Sequence, residues 1–162
     1  MRTTEGKTAS MLNRRQLGTT DLEITTVGFG AWAIGGGGWA YGWGPQDDAA
    51  SIATIRHAIE CGVNWIDTAA IYGLGHSEEV VGRALRAFPL HDRPYVFTKG
   101  GMIPKRERPY DEPVRNLEPA SIRREVVASL RRLRVDRIDL YQFHWPDADR
   151  RRATAGASRW LD

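Results

Sequence analysis

The 162-residue sequence has a single cysteine, Cys61. One cysteine forms no intrachain disulfide and supplies no cluster to hold zinc, which fits a reducing compartment. No stretch approaches the ~20 apolar residues that a membrane span needs. The first ten residues, MRTTEGKTAS, lack the apolar centre of a signal peptide. They are expected to be a disordered extension, with Met11 an equally good start. A soluble cytoplasmic protein with no membrane partner is the expectation.

Net charge is also low, formally +3. Up to Ala120 there are 13 basic and 14 acidic residues, and from Ser121 onward 10 and 6. The excess is therefore a late arginine feature, densest at Arg150, Arg151 and Arg152. Neither interleaved aromatics nor a nucleic-acid motif accompanies it, so a solvated end is expected rather than a nucleic-acid surface. With 41% hydrophobic and 27% charged residues, the chain has ordinary globular usage and the length for one domain with a core.

The pattern along the chain is regular. Leu12 to Ile24 reads as a hairpin around Gly18-Thr19-Thr20-Asp21. Thr25 to Gly30 reads as a buried strand led by Val27 and Phe29. A glycine-rich loop, 31–46, carries Trp32, Trp39, Tyr41 and Trp43, bulky rings that cannot all be core. Asp47 or Asp48 caps a helix from Ala49 to Cys61, with Ile52, Ile55 and Ile59 on one face and Gly62 at its end. A second strand, Val63 to Asp67, precedes a helix capped by Ser77, with Glu78 and Glu79 at its positive end and Pro89 as its stop. Tyr95 to Thr98 forms a third strand. A polar, proline-rich segment, 102–117, leads to a third helix begun by Pro119, with Ile122, Val126, Leu130 and Leu133 as its apolar face. A fourth strand, Ile138 to Phe143, ends in His144-Trp145-Pro146.

Strands that alternate with amphipathic helices predict an α/β fold with a parallel sheet. In such units the loops after the strands share one face. That face gathers the aromatics, then Asp67 and Tyr72, then Lys99, then His144. Taken singly each has a bland reading: a turn cap, a loop aromatic, a solvated lysine, a strand-end histidine. Four successive strand ends make coincidence the poorer account.

The combination has a specific chemistry. A phenol with an ordinary pKa near 10 is a reluctant acid at neutral pH. A neighbouring ammonium stabilises the phenolate, a carboxylate fixes the ammonium, and a histidine can donate to a carbonyl oxygen and orient it. This is equipment for protonating an oxyanion as hydride reaches its carbon. No metal site is expected, since His57 and His91 lie in a helix and a polar turn without ligand spacing. The run Gly28-Phe29-Gly30-Ala31-Trp32-Ala33 formally fits G-x-G-x-x-A, but residues 31–46 are too glycine-rich to begin the helix that a dinucleotide fingerprint requires.

GFGAWAIGG (Gly28 to Gly36), NWIDTAAIYGLGHSEEVVGRAL (Asn64 to Leu85), FTKGG (Phe97 to Gly101), SLRRL (Ser129 to Leu133) and DRIDLYQFHWPD (Asp136 to Asp147) resemble the aldo-keto reductase family. The likeness is in register over about residues 12–149. It implies the first half of a (β/α)8 TIM barrel: an N-terminal hairpin, four parallel strands and three helices. It also implies NADP(H)-dependent reduction of aldehydes or ketones to alcohols, or the reverse. The family's catalytic four fall on Asp67, Tyr72, Lys99 and His144, with Tyr72 the proton donor. Gly30, Ala31, Trp32 and Asp67 would approach the cofactor, and Trp32 and Trp145 the carbonyl substrate.

Arg134 stands where relatives often have glycine, at a left-handed position that costs a side chain roughly 1 kcal/mol. A whole barrel of this kind needs about 250 residues. After Asp149 the text RRRATAGASRWLD leaves the family register and reads like out-of-frame translation or a truncation. The units expected are thus an extension, 1–10, the half-barrel, 11–149, and an arginine-rich tail, 150–162. Much of the family's cofactor grip lies in the second half, so the chain alone is expected to be weakly active or inactive. The alternative is a non-catalytic half-barrel that self-associates through its open sheet edges or binds a partner.

Overall fold

The computed structural model describes residues 12–146; the extension expected at 1–10 and the tail expected at 150–162 lie outside the described residues. In chain order the elements are β1 (Arg14–Gln16), β2 (Glu23–Thr25), β3 (Phe29–Gly30), α1 (Asp48–Glu60), β4 (Trp65–Asp67), α2 (His76–Leu85), β5 (Tyr95–Gly100), β6 (Met102–Ile103), β7 (Val114–Arg115), α3 (Pro119–Leu133) and β8 (Leu140–Phe143). The first two form the expected antiparallel hairpin. Its turn needs Gly18, whose φ is 58°, and Thr20 Oγ1 donates to Leu17 O at 2.6 Å to close it.

Four strands make a parallel sheet in the order β3-β4-β5-β8, with Asp67 opposite Phe97 and Lys99 opposite Gln142. Strand alternation places Ile66, Val96 and Thr98 on one face and Asp67, Phe97, Lys99 and Gln142 on the other. The first face packs under the helices. Ile66, Val96, Ile55, Val80, Val81, Ala84, Leu85 and Leu133 form a continuous buried cluster there. Each of the valine, leucine and isoleucine side chains, once fully buried, contributes about 1.5–3 kcal/mol. Helices against one face of an open parallel sheet are half of the barrel plan.

The helix ends follow local chemistry. Asp47 Oδ1 accepts from Ala50 N at 2.7 Å, as an N-cap should. Gly62 follows α1 at φ 96° and Arg134 follows α3 at φ 56°, both as expected. The α2 start differs. Ser77 is not its cap; Gly75, at φ 106°, precedes a helix that begins at His76. Ser77 is instead wholly buried. Its hydroxyl donates to Ala31 O at 2.7 Å and bonds Thr68 Oγ1 at 2.9 Å, so it ties the helix to two strand ends.

Two further expectations are corrected. The first parallel strand is only Phe29–Gly30, and Val27, expected in the core, is 56% exposed. Thr25 belongs to the hairpin, and its Oγ1 donates to Val27 O at 2.7 Å, which turns the chain before the sheet begins. The proline-rich segment 102–117 is not all irregular: β6 and β7 pair antiparallel, Met102 with Arg115 and Ile103 with Val114. Among the described residues, no helix is long and apolar enough to cross a membrane.

Candidate active site

Asp67 ends β4, and Lys99 lies one strand over near the end of β5. Tyr72 arrives on a short 3₁₀ turn, Tyr72–Gly75, whose middle is left-handed: Gly73 has φ 58° and Leu74 φ 57°. A leucine there costs about 1–2 kcal/mol, strain of a kind that collects beside functional groups. The turn is held by backbone contact. A Cβ added at Gly35 would lie 2.6 Å from Gly73 N, so only glycine lets the two loops meet.

The three side chains converge. Lys99 Nζ donates to Asp67 Oδ2, to Thr68 O at 2.9 Å, and to Tyr72 OH at 3.4 Å. An ammonium has three N–H groups, and here each has an acceptor. Lys99 is 15% exposed and Asp67 29%, so the pair is partly withdrawn from solvent. Because the phenol oxygen accepts from Lys99, its own proton is free to point elsewhere.

His144 comes to the same place from the end of β8, its backbone N–H donating to Gly100 O at 2.9 Å. Its ring meets Tyr72 edge-on, with centroids 5.5 Å apart. Burial, reinforced by the Lys99 charge, lowers its pKa to about 4, so the imidazole is neutral at neutral pH. Nδ1 is buried without a partner among the described residues. The proton is therefore better placed on Nε2, which becomes the donor.

Trp32 stacks on Tyr72 at 5.9 Å, with the planes 16° apart, and its indole is 44% exposed. Gly30 is exposed, and a Cβ there would meet nothing within 4 Å. Ala31 is fully buried; its N–H donates to Asp67 O and its carbonyl accepts from Ser77. Trp145 is half exposed and sits beneath the Arg115 guanidinium at 5.0 Å, outside the Trp32–Tyr72 stack.

Two contributors escaped the sequence reading. Gln142 Nε2 donates to Asp67 Oδ1 at 3.0 Å, holding the carboxylate oxygen that Lys99 does not. Its position two residues before His144, on the strand that delivers that histidine, was the available signal. Glu78, placed by the sequence only at the positive end of a helix, is wholly buried. It accepts from Thr98 Oγ1 and from Arg132 Nε, both at 2.6 Å, directly beneath the strand that carries Lys99. Among the described residues no group of His, Cys, Asp and Glu could hold a metal.

The sequence and the fold have known relatives. The family model described as "Aldo/keto reductase family" matches residues 26–157. The NADH-specific methylglyoxal reductase of Escherichia coli K12 is 45% identical over 135 residues, 80% of this chain and 40% of that protein. The structure of the glycerol dehydrogenase AKR11B4 from Gluconobacter oxydans is 46% identical with a TM-score of 0.71, covering 83% of this chain and 40% of that one. An aldo-keto reductase from Klebsiella pneumoniae, solved in complex with NADPH, is 27% identical with a TM-score of 0.60, covering 86% and 42%. The chain spans 36–40% of the length of the first curated relatives it matches.

Proposed function

Since the chain belongs to the aldo/keto reductase family, we propose that it carries the proton-transfer site of an NADP(H)-dependent reductase of aldehydes or ketones, with Tyr72 as proton donor. The observation that carries this reading is the ammonium of Lys99 within 3.4 Å of the Tyr72 oxygen, with Asp67 fixing the ammonium from the far side. As negative charge grows on the carbonyl oxygen, the phenol proton transfers to it. The charge left on Tyr72 is then stabilised by Lys99. Neutral His144 donates its Nε2–H to the same carbonyl oxygen and orients it. It adds no second cation that would compete with Lys99.

The residues present suit a flat ring: open space lies over Gly30, which pairs with Asp67 across the sheet, and Trp32 is partly exposed. When bound, the nicotinamide supplies the hydride that reduces the carbonyl carbon. Gly30 and Trp32 would hold that ring, with Ala31 supporting them from within the core. NADPH rather than NADH is favoured by the Klebsiella complex, and the Escherichia coli relative is named for the opposite preference.

The test is oxidation of NADPH, and in parallel of NADH, by purified protein with methylglyoxal and with small ketones. Slow turnover is expected, falling by about 10²–10⁴-fold in Tyr72→Phe, the usual worth of a positioned general acid. A second reading, favoured by the two edges at which the described sheet ends, β3 and β8, is a non-catalytic half-barrel that pairs with itself. Absence of both turnover and cofactor fluorescence quenching at millimolar NADPH decides for the second.

A further inference from the structure

The aromatic loop 36–44 and the arm 104–113 are distant in sequence and joined in space. The arm springs from the β6–β7 ribbon and is braced within itself. Arg108 N donates to Lys105 O at 2.8 Å, Asp111 N to Arg108 O at 3.0 Å, and Arg108 pairs with Asp111 at 3.2 Å. It grips the loop twice. Ala40 N donates to Pro109 O at 3.0 Å, and Tyr41 OH donates to Glu112 Oε1 at 2.8 Å. The loop in turn grips the site: Tyr41 O accepts from Trp32 Nε1 at 3.1 Å, and Trp32 lies on Tyr72. Trp39 closes the set, 5.8 Å from Tyr41 and 6.3 Å from Tyr72.

We propose that the arm is a strap whose hold on Tyr41, through Glu112, fixes Trp32 flat against Tyr72, so that Tyr41 and Glu112 are positioning residues for the site. Without the strap, a loop carrying Gly36, Gly37, Gly38, Gly42 and Gly44 has many conformations to lose, and the indole would sample them. The strap converts that freedom into one wall. Trp43, edge-on to Trp32 at 5.8 Å and 67% exposed, extends the wall outward, where it would limit the size of an entering molecule. This role for the wall rests on the proposed reductase reading; the mechanical coupling does not.

The test is fluorine NMR of the full chain labelled with 5-fluorotryptophan, which gives six resonances, with the Trp32 resonance assigned by its loss in Trp32→Phe. Tyr41→Phe and Glu112→Ala should each shift the Trp32 resonance and leave that of Trp65, which donates to Thr25 O at 2.9 Å far from the strap, in place. Glu112→Gln keeps an acceptor oxygen for the phenol and should restore the original position. The double variant Y41F/E112A should move it no further than either single change, because one contact is lost once. A Trp32 resonance unmoved in Tyr41→Phe, a shift shared by Trp65, or additive shifts in the double variant would each overturn the strap. Because no readout depends on turnover, lack of reductase activity would count against the proposed function and leave the strap standing.

Discussion

Replacing Arg132 with methionine should unfold more of this protein than any change at its surface. Arg132 donates through Nε to Glu78 at 2.6 Å, and the Glu78 side chain has no solvent exposure. Methionine keeps most of the volume but leaves a carboxylate buried beside Thr98 with no counter-charge. Breaking a buried pair from one side costs about 3–5 kcal/mol. A whole domain is stable by only about 5–15 kcal/mol. At a urea m-value of about 1–3 kcal/mol/M, the midpoint should fall by about 2 M, read by far-UV circular dichroism. The doubly substituted Glu78→Leu, Arg132→Met chain should recover to within about 2 kcal/mol of the parent, since an apolar pair replaces an ionic one at little net cost. The consequence reaches the site. Arg132 Cδ packs where a Cβ on Gly75 would stand, at 2.8 Å, and Thr98 precedes Lys99, so the pair supports both Tyr72's turn and Lys99's strand. A loss under 1 kcal/mol in Arg132→Met, or single losses that simply add in the double variant, would refute this reasoning.

Other outcomes rest on the same geometry. Folding lowers the proton affinity of His144 to a pKa of about 4 from 6.5, so the unfolded chain binds the extra proton and stability declines as pH falls from about 6.5 toward 4. The ring is only half-buried, so after solvent screening the loss should be about 1–2 kcal/mol, measured as the difference between the parent and His144→Asn in urea melts at pH 7 and pH 4. Arg134→Gly relieves a left-handed side chain at φ 56°; it should stabilise by about 1 kcal/mol, a rise of a few degrees in Tm by calorimetry. Gln142→Leu leaves Asp67 Oδ1 without its donor, and the unmade bond, worth about 1–3 kcal/mol, should lower the urea midpoint while Gln142→Asn, one methylene shorter, recovers little.

The parallel order was legible because each helix kept an apolar face and each strand a short β-branched or aromatic run. Asp67, Tyr72, Lys99 and His144 were legible because strand ends of parallel units share a face, and the structure brings all four together. What was hidden had no period. β6 and β7 are two residues each, among prolines, and exist because they pair with one another. Ser77 satisfied every local rule for a cap, yet two strand ends compete for its hydroxyl and glycine takes the turn. The burial of Glu78 was not visible because its partner lies 54 residues away, and Val27 looked buried because nothing local announced that Thr25 bends the chain.

Where Gly35 meets Gly73, main chain rests on main chain, with no side chain between to be exchanged for a larger or smaller one. Variation cannot accumulate at that junction without displacing Tyr72. Trp43, whose ring meets Trp32 rather than Tyr72, can by contrast change without touching the phenol. Constancy and freedom to vary are in this way assigned to different pieces of chain, and the second is open to alteration while the first stays put.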